Sequence, residues 1–330
     1  MPGFWKNKNV LVTGGAGFIG SHLTERLVQE GAKVKVADSL ENSTLDNLKS
    51  CLNKIEFLKL DLKDINACCG AVRNADIVMH LAAKVGGVGF NVKHQGTMFT
   101  ANVLLNTNVM EAARLEGVKD YLCISSACVY PRYCTIPTPE EEGFKDDPEP
   151  TNFGYGWSKR IAEIQAKAYE QEFGMRVVII RPYNSYGPRD HFELDKAHVI
   201  PALIHKIAGG QDPLVVWGDG EQTRAFVYVS DLVNGIMLAV EKGAFGEVFN
   251  IGTTEEIKIK DLVTLIIKLF SSKIKVNFDS AHLGGQPRRN ADISKAKRML
   301  GYSPKVSLEE GLGETIIWYK QKNNIGEIKS

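Results

Sequence analysis

The stretch Val10-Leu11-Val12-Thr13-Gly14-Gly15-Ala16-Gly17-Phe18-Ile19-Gly20 decides the fold. A short apolar run gives way to three spaced glycines. Leu23, Leu27 and Val28 then recur at helical spacing, and Gly31 supplies a left-handed stop. The pattern reads as strand, tight turn and helix in direct succession. In such a turn the missing side chains let the backbone approach a pyrophosphate, which rests on free N–H groups at the helix N-terminus. Gly14, Gly17, Phe18, Ile19 and Gly20 are therefore the expected pyrophosphate contacts. A second strand, Val34 to Ala37, ends at Asp38. A carboxylate there accepts hydrogen bonds from both ribose hydroxyls and repels a 2′-phosphate, so the expected cofactor is NAD rather than NADP. Asp61 and Leu62 close the third strand, where an adenine edge would lie.

Outward from this turn, apolar runs alternate with amphipathic stretches, the pattern of a parallel sheet covered on both faces. Ile55 to Leu60, Ile77 to His80, Tyr121 to Ile124 and Val177 to Ile180 read as buried strands; Asn102 to Glu116 and Trp157 to Phe173 carry helical periodicity. After Arg181-Pro182 the loops lengthen. Phe226 to Val229, a Ser230-capped helix to Val240 and the strand Val248 to Ile251 look like a return to the sheet. The expected fold class is α/β: a Rossmann-type doubly wound parallel sheet with a smaller mixed α/β substrate lobe interleaved in sequence. Residues 1–181 with about 225–252 would form the NAD-binding part, and about 182–224 with 253–330 the substrate part. The segment Pro137 to Pro150 reads as a surface loop near the site.

Of 330 residues, 44% are apolar, and forty basic against thirty-nine acidic residues leave a net charge of +1. That balance, without a basic block, argues against a nucleic-acid partner. No apolar run approaches the ~20 residues that span a membrane. With so little chain before the first strand, no signal peptide is expected. The six cysteines show no Cys-x-x-Cys pair or histidines at ligand spacing, so no metal site is expected. Reduced thiols in a cytoplasmic protein are the simplest reading.

Tyr155 and Lys159 lie one helical turn apart at the start of an expected helix, so both project from one face. A tyrosine ionises near pH ~10, and a neighbouring ammonium is expected to lower that value. Such a pair can take a proton from an alcohol while hydride leaves for a nicotinamide. Ser125 and Ser126 follow the strand Tyr121 to Ile124, on the carboxyl edge where open parallel sheets bind ligands. Ser126 is placed to hydrogen-bond the reacting oxygen.

Thr13 to Gly20, His80-Leu81-Ala82-Ala83, Ser125-Ser126, Tyr155-x-x-x-Lys159 and Arg181-Pro182-Tyr183-Asn184 together resemble the extended short-chain dehydrogenase/reductase family of NAD-dependent epimerases and dehydratases. Trp217-Gly218-Asp219-Gly220, Arg224-Ala225-Phe226 and Arg289-Asn290-Ala291-Asp292 carry the similarity through nearly the whole chain. The resemblance implies a nucleoside-diphosphate sugar as substrate and a homodimer. It implies cofactor contacts from Ala82, Ala83, Asn102, Tyr155 and Lys159, with Asn102 ordering a water or proton relay near Lys159. Substrate contacts would come from Gly87, Asn184, His198, Trp217, Arg224 and Arg289, the two arginines clamping the diphosphate.

Within the family, sugar 4,6-dehydratases and uronate decarboxylases carry glutamate two residues after the serine, where this chain has Cys128. Cysteine there resembles the GDP-mannose 3,5-epimerases and GDP-fucose synthases. Gly86 to Phe90 and the run Trp217 to Arg224 match the former; Glu149 to Asn152 and His198 to Leu203 match the latter. Once C4 of a hexose is a ketone, the protons on C3 and C5 become acidic through the enolate. A thiol, which ionises near pH ~8.5 and lower beside positive charge, suits removal of such a proton. His198, or else Lys196, is the expected acid on the opposite face. A net isomerisation of a GDP-hexose follows; a 4-epimerase and a fucose-synthase-like epimerase-reductase are the alternatives. Cys128 as plain packing, His198 as a satisfied core or helix-capping histidine and the arginines as solvated charges are the competing readings of those residues. His80 and Cys123 are expected to pack within their strands.

Overall fold

The protein is described by a computed structural model covering residues 3–194, 197–280 and 286–325. Strand β1 (Asn9–Thr13) leads into α1 (Phe18–Gln29), followed by β2 (Lys33–Asp38), β3 (Ile55–Lys59), α2 (Ile65–Val72) and β4 (Ile77–His80). Next come α3 (Val88–Lys93), α4 (Gln95–Leu115), β5 (Asp120–Ile124), α5 (Phe153–Phe173), β6 (Arg176–Pro182) and β7 (Ser185–Tyr186). The chain continues through α6 (Val199–Ala208), β8 (Leu214–Trp217), β9 (Thr223–Ala225), β10 (Val227–Tyr228), α7 (Val229–Glu241) and β11 (Val248–Ile251). It ends with β12 (Glu256–Lys258), α8 (Ile259–Leu269), β13 (Val276–Asp279), β14 (Arg288–Arg289), α9 (Ser294–Leu300) and α10 (Leu308–Lys322).

The large sheet has seven strands in the order β11-β6-β5-β4-β1-β2-β3. Every pairing in it is parallel. Residues of β1, β4 and β5 are buried on both faces, which is why their sequences read as continuous Val, Ile and Leu runs. Strand order reverses between β1 and β4, and Thr13 lies level with both Ala37 and His80. The crevice outside the carboxyl ends of these strands is where a doubly wound sheet takes its ligand. The expected Rossmann-type α/β class is observed.

Three apolar cores hold the molecule together. Two cover the faces of the large sheet, one centred on Leu23, Leu122 and Ile236, the other on Leu11, Val109 and Val177. The third joins Ile204 of α6, Leu262 of α8 and Leu312 of α10 around the small β8–β13 ladder. Residues Ala291, Ile293, Ala296 and Leu300 pack into the first core, so the chain near α9 returns to the large sheet a second time.

Some local expectations shift. Phe226 to Val229 does not rejoin the large sheet: only Val227–Tyr228 is extended, and it pairs with β7 in a separate two-stranded ladder. Helix α7 starts at Val229 with Tyr228 as its uncapped boundary, so Ser230 lies inside its first turn and caps nothing. Helix α4 begins at Gln95, which places Asn102 in its interior rather than at its opening.

Candidate active site

The glycine turn forms as its residues require. A Cβ at Gly20 would collide with the Gly14 carbonyl oxygen, so only glycine lets α1 begin this close to the exit of β1. Gly17 bounds α1 without any side-chain cap, leaving the first-turn N–H groups of Phe18 and Ile19 free to face an anion. Asp38, 7% exposed, ties the turn to β2: its carboxylate accepts from the Ala16 N–H at 3.0 Å, the Leu40 N–H at 2.9 Å and the Ser43 hydroxyl at 2.7 Å. This places a fixed acceptor beside the uncapped helix end, the arrangement a ribose and pyrophosphate need. Ala82 lies against Gly14, and its N–H donates to Thr13 Oγ1 at 3.1 Å, with Ala83 next in the chain. Asp61 is exposed and pairs with Lys63 at 3.1 Å, whereas Leu62 is buried in the core and its carbonyl accepts from the Cys68 thiol at 3.1 Å. The residues present fit NAD.

Beyond β5, Ser126 Oγ accepts from the Cys128 N–H at 3.0 Å, which folds Ala127–Val129 into a single 3-10 turn. Gly156 of α5 lets that helix press on the turn, since a Cβ there would collide with the Cys128 carbonyl oxygen. Tyr155 and Lys159 then reach the same spot. Lys159, 2% exposed, donates through Nζ to the Ile124 carbonyl at 2.8 Å and stands 5.7 Å from the Tyr155 ring centre. Cys128 is half-buried and close enough that a negative charge on its sulfur acts on both Tyr155 and Lys159. The thiol is part of the site and is not sealed into packing.

The expected lowering of the Tyr155 phenol is not observed. Burial pushes it up, a charge on Cys128 would add to the rise, and only the hydrogen bond from Ser126 opposes them. The reason is burial, which outweighs the lowering that the Ser126 hydrogen bond supplies. Burial also lowers the Lys159 ammonium, against the charges of Cys123, Cys128 and Glu163. His80 is neutral as expected of a strand residue, pushed down to about 3 by burial and the Lys159 charge. Its ring bonds Thr13 at 2.8 Å and Asn106 at 2.9 Å.

Behind this site lies a buried network that motif reading passed over. Arg181, on β6, pairs with Glu163 of α5 at 2.7 Å, and the Ser125 hydroxyl donates to the same carboxylate. Arg181 also donates to the Tyr130 hydroxyl at 2.9 Å and to the Glu140 carbonyl at 2.6 Å. The network fixes β5, α5 and β6 against one another. Asn102 also plays a structural part: its amide accepts from the Lys84 N–H at 2.9 Å and donates to the Lys84 and Met98 carbonyls. It thereby clamps the loop after β4, with one lone pair of its oxygen left over.

Across the molecule, β14 runs parallel to β9 with Arg289 opposite Arg224. Cross-strand partners share a face, so two guanidinium groups stand side by side. Arg224 bonds only carbonyls, those of Thr223 and Pro287, and Arg289 bonds Gln286. Among the described residues neither has a carboxylate ion pair. Burial and the Arg289 charge lower Arg224 to about 10, with Glu149 opposing. Asn184 donates weakly to the Ala225 carbonyl at 3.4 Å, beside this pair. Trp217 ends β8 in a different ladder, 55% exposed, and Gly87 caps α3 over the loop that Asn102 holds.

His198 bounds α6 and its carbonyl accepts from the Ala202 N–H at 3.0 Å, but its side chain caps none of the helix N–H groups, so the side-chain capping reading falls. Its Nδ1 stands 3.8 Å from Oδ2 of Asp190, a buried carboxylate that motif reading missed. The ring sits deep enough that surrounding protein works against its charge, yet 54% of its side chain stays open to solvent. Asp190 outweighs that burial and raises the imidazole above its ordinary value. Lys196, the alternative acid, lies outside the described residues.

The family model for the NAD dependent epimerase/dehydratase family matches residues 10–252. The chain is 31% identical over 320 residues to a dTDP-4-dehydro-6-deoxy-D-allose reductase of a Streptomyces species, covering 96% of this chain and 97% of that one. It is 31% identical over 326 residues to GDP-mannose 3,5-epimerase of Arabidopsis thaliana, covering 97% and 84%. The crystal structure of UDP-glucuronic acid 4-epimerase from Bacillus cereus, in complex with UDP-glucuronic acid and NAD, superposes with a TM-score of 0.85 at 31% identity, covering 95% of this chain and 99% of that one. The resemblance drawn from the motifs holds, and the chain belongs to the NAD-dependent epimerase/dehydratase family, with an extended short-chain dehydrogenase fold and NAD as its cofactor.

Proposed function

We propose that the protein is a nucleotide-sugar epimerase that inverts C3, C5 or both of a GDP-hexose through transient oxidation at C4. The carrying observation is the half-buried Cys128 thiol beside Tyr155 and Lys159 at the exit of β5. Tyr155 takes the proton of the C4 hydroxyl, with Ser126 holding the oxygen and the Lys159 ammonium behind it. Bound NAD supplies the redox chemistry, receiving the C4 hydrogen with its electron pair and returning it. In the ketone so formed, Cys128 as thiolate removes the proton on C3 or C5, and His198 as imidazolium protonates the opposite face. Arg224 and Arg289 hold the diphosphate: two facing cations without carboxylate partners favour a dianionic group between them. Asn184, Gly87 and Trp217 complete the sugar and base contacts in this reading.

Incubation with GDP-mannose in D2O, followed by mass spectrometry and NMR of the recovered sugar, tests it. Deuterium at C3 or C5 without net NADH consumption is expected. The reductase among the relatives favours a second reading, in which a 4-keto sugar is reduced; stoichiometric NADH loss would establish that instead. Epimerisation with no solvent deuterium would leave a 4-epimerase.

We further propose a homodimer built on α4 and α5, which pack together and expose Phe99, Leu104 and Ile164. Sedimentation velocity of the wild type and of Ile164→Glu tests that pairing. Among the described residues no helix is long and apolar enough to cross a membrane, and the six free cysteines fit the reducing cytoplasm proposed here. We also assign the NAD-holding part to 1–181 with about 225–252 and the substrate part to the remainder, save for the chain near α9, which packs on the large sheet.

A further inference from the structure

We propose that Asp190 is a positioning residue, whose buried carboxylate keeps the His198 ring oriented and proton-bearing at the start of α6. The two side chains differ in how they meet solvent: Asp190 is 1% exposed and His198 54%. One oxygen, Oδ1, accepts from the His191 N–H at 2.7 Å. The other, Oδ2, is buried with no hydrogen-bond donor among the described residues and lies 3.8 Å from His198 Nδ1. A buried anion left half-satisfied is costly, and the imidazole is the group placed to complete it. Among the described residues, Asp190 supplies the charge that acts on the ring. With Nδ1 turned toward the carboxylate, Nε2 is the nitrogen left to exchange a proton.

The carboxylate is held from the other side of the molecule. Arg189 takes a left-handed backbone at φ +71, a strained conformation for a side chain of its size, and is tied down by Glu25 of α1 at 2.8 Å. Ser50 donates to the same glutamate. One turn earlier on α1, the His22 ring bonds the Pro188 carbonyl at 3.0 Å. The helix that starts at the pyrophosphate turn thus fixes the loop that carries Asp190, and a loop so fixed can aim a side chain on α6.

That His198 donates a proton to substrate rests on the function proposed above; the pairing itself does not. The test therefore begins without substrate. The seven histidines are labelled with carbon-13 at Cε1 and titrated by NMR, and the His198 signal is identified by its loss in His198→Gln. In the wild type its midpoint is expected above the ordinary imidazole value near ~6.5. In Asp190→Asn the midpoint should fall by roughly one pH unit, a tenfold loss of proton affinity, with the other histidines unmoved, and Asp190→Glu should restore part of it. A His198 midpoint equal in wild type and Asp190→Asn overturns the proposal. Should Asp190→Asn not fold, the wild-type midpoint decides: above the ordinary value it supports the pairing, at or below that value it overturns it. With GDP-mannose, Asp190→Asn should then lower kcat at least tenfold while leaving KM within about twofold. If the titration shifts and no turnover is seen even in the wild type, the pairing stands and the epimerase reading fails.

Discussion

At the exit of β5, Arg181 meets Glu163 at 2.7 Å, and Tyr130, Ser125 and the Glu140 carbonyl satisfy what remains of both groups. On the β9–β14 ladder, Arg224 faces Arg289 with no carboxylate ion pair for either among the described residues. The two regions hold charge under opposite rules. The first is complete within the chain, so its energy goes into fixing the elements that carry Ser126, Cys128, Tyr155 and Lys159. The second is incomplete, since like charges on facing positions repel until something anionic comes between them. A satisfied network serves as scaffold, and in the function proposed above the unsatisfied pair is where the diphosphate would bind.

That contrast can be broken experimentally. The largest effect is expected at the scaffolded chemistry itself: Tyr155→Phe should cut turnover of GDP-mannose by about 10²–10⁴-fold with the melting temperature nearly unchanged. Turnover within tenfold of the wild type would remove Tyr155 from the reaction. Next, Glu163→Gln should cost about 3–5 kcal/mol in urea unfolding, because it strands a buried guanidinium. A loss below ~1 kcal/mol would mean the network does not hold the sheet to α5. Arg224→Ala should do the reverse, weakening GDP binding in calorimetry by about 10–100-fold, as expected for a lost charged hydrogen bond. Its stability should stay level or rise as the repulsion with Arg289 is relieved. Unchanged GDP affinity would refute the ligand reading of the ladder.

The smallest effect concerns pH. His80 binds its proton in the folded protein only below about 3, while an unfolded histidine does so below 6.5. The unfolded state therefore holds more protons between those values, and folding stability falls as pH drops through that window. His80→Gln should remove about 1 kcal/mol per pH unit of that fall, read from urea midpoints at pH 6, 5 and 4. Parallel curves for the two proteins would show that another group governs the acid limb.

How much the sequence disclosed follows from the same physics. Strands buried on both faces leave unbroken apolar runs, so β1, β4, β5 and β11 could be read almost to the residue. The two-residue β10 leaves no such run, and neither does the short α3. Tyr155 and Lys159 were legible because helical spacing alone sets them on one face. Asp190 and Glu163 were not, because each acts through a partner that only folding brings near. The structural part of Asn102 was hidden for a related reason: its amide holds Lys84, a neighbour invisible in the local pattern. Likewise the tyrosine's ionisation depends on how deeply the fold buries the ring, which spacing does not specify.

Strand β11 completes the large sheet by lying along β6, although the chain between them builds β7, α6, β8, β9, β10 and α7 first. During synthesis, β6 must wait on the ribosome with one backbone edge unpaired until Val248–Ile251 emerges. Parallel pairing of this kind cannot be supplied by a local hairpin. The cost of inserting a substrate lobe in mid-sheet is thus a period in which the nascent protein carries a sticky border, exposed to other chains or in need of a chaperone's cover.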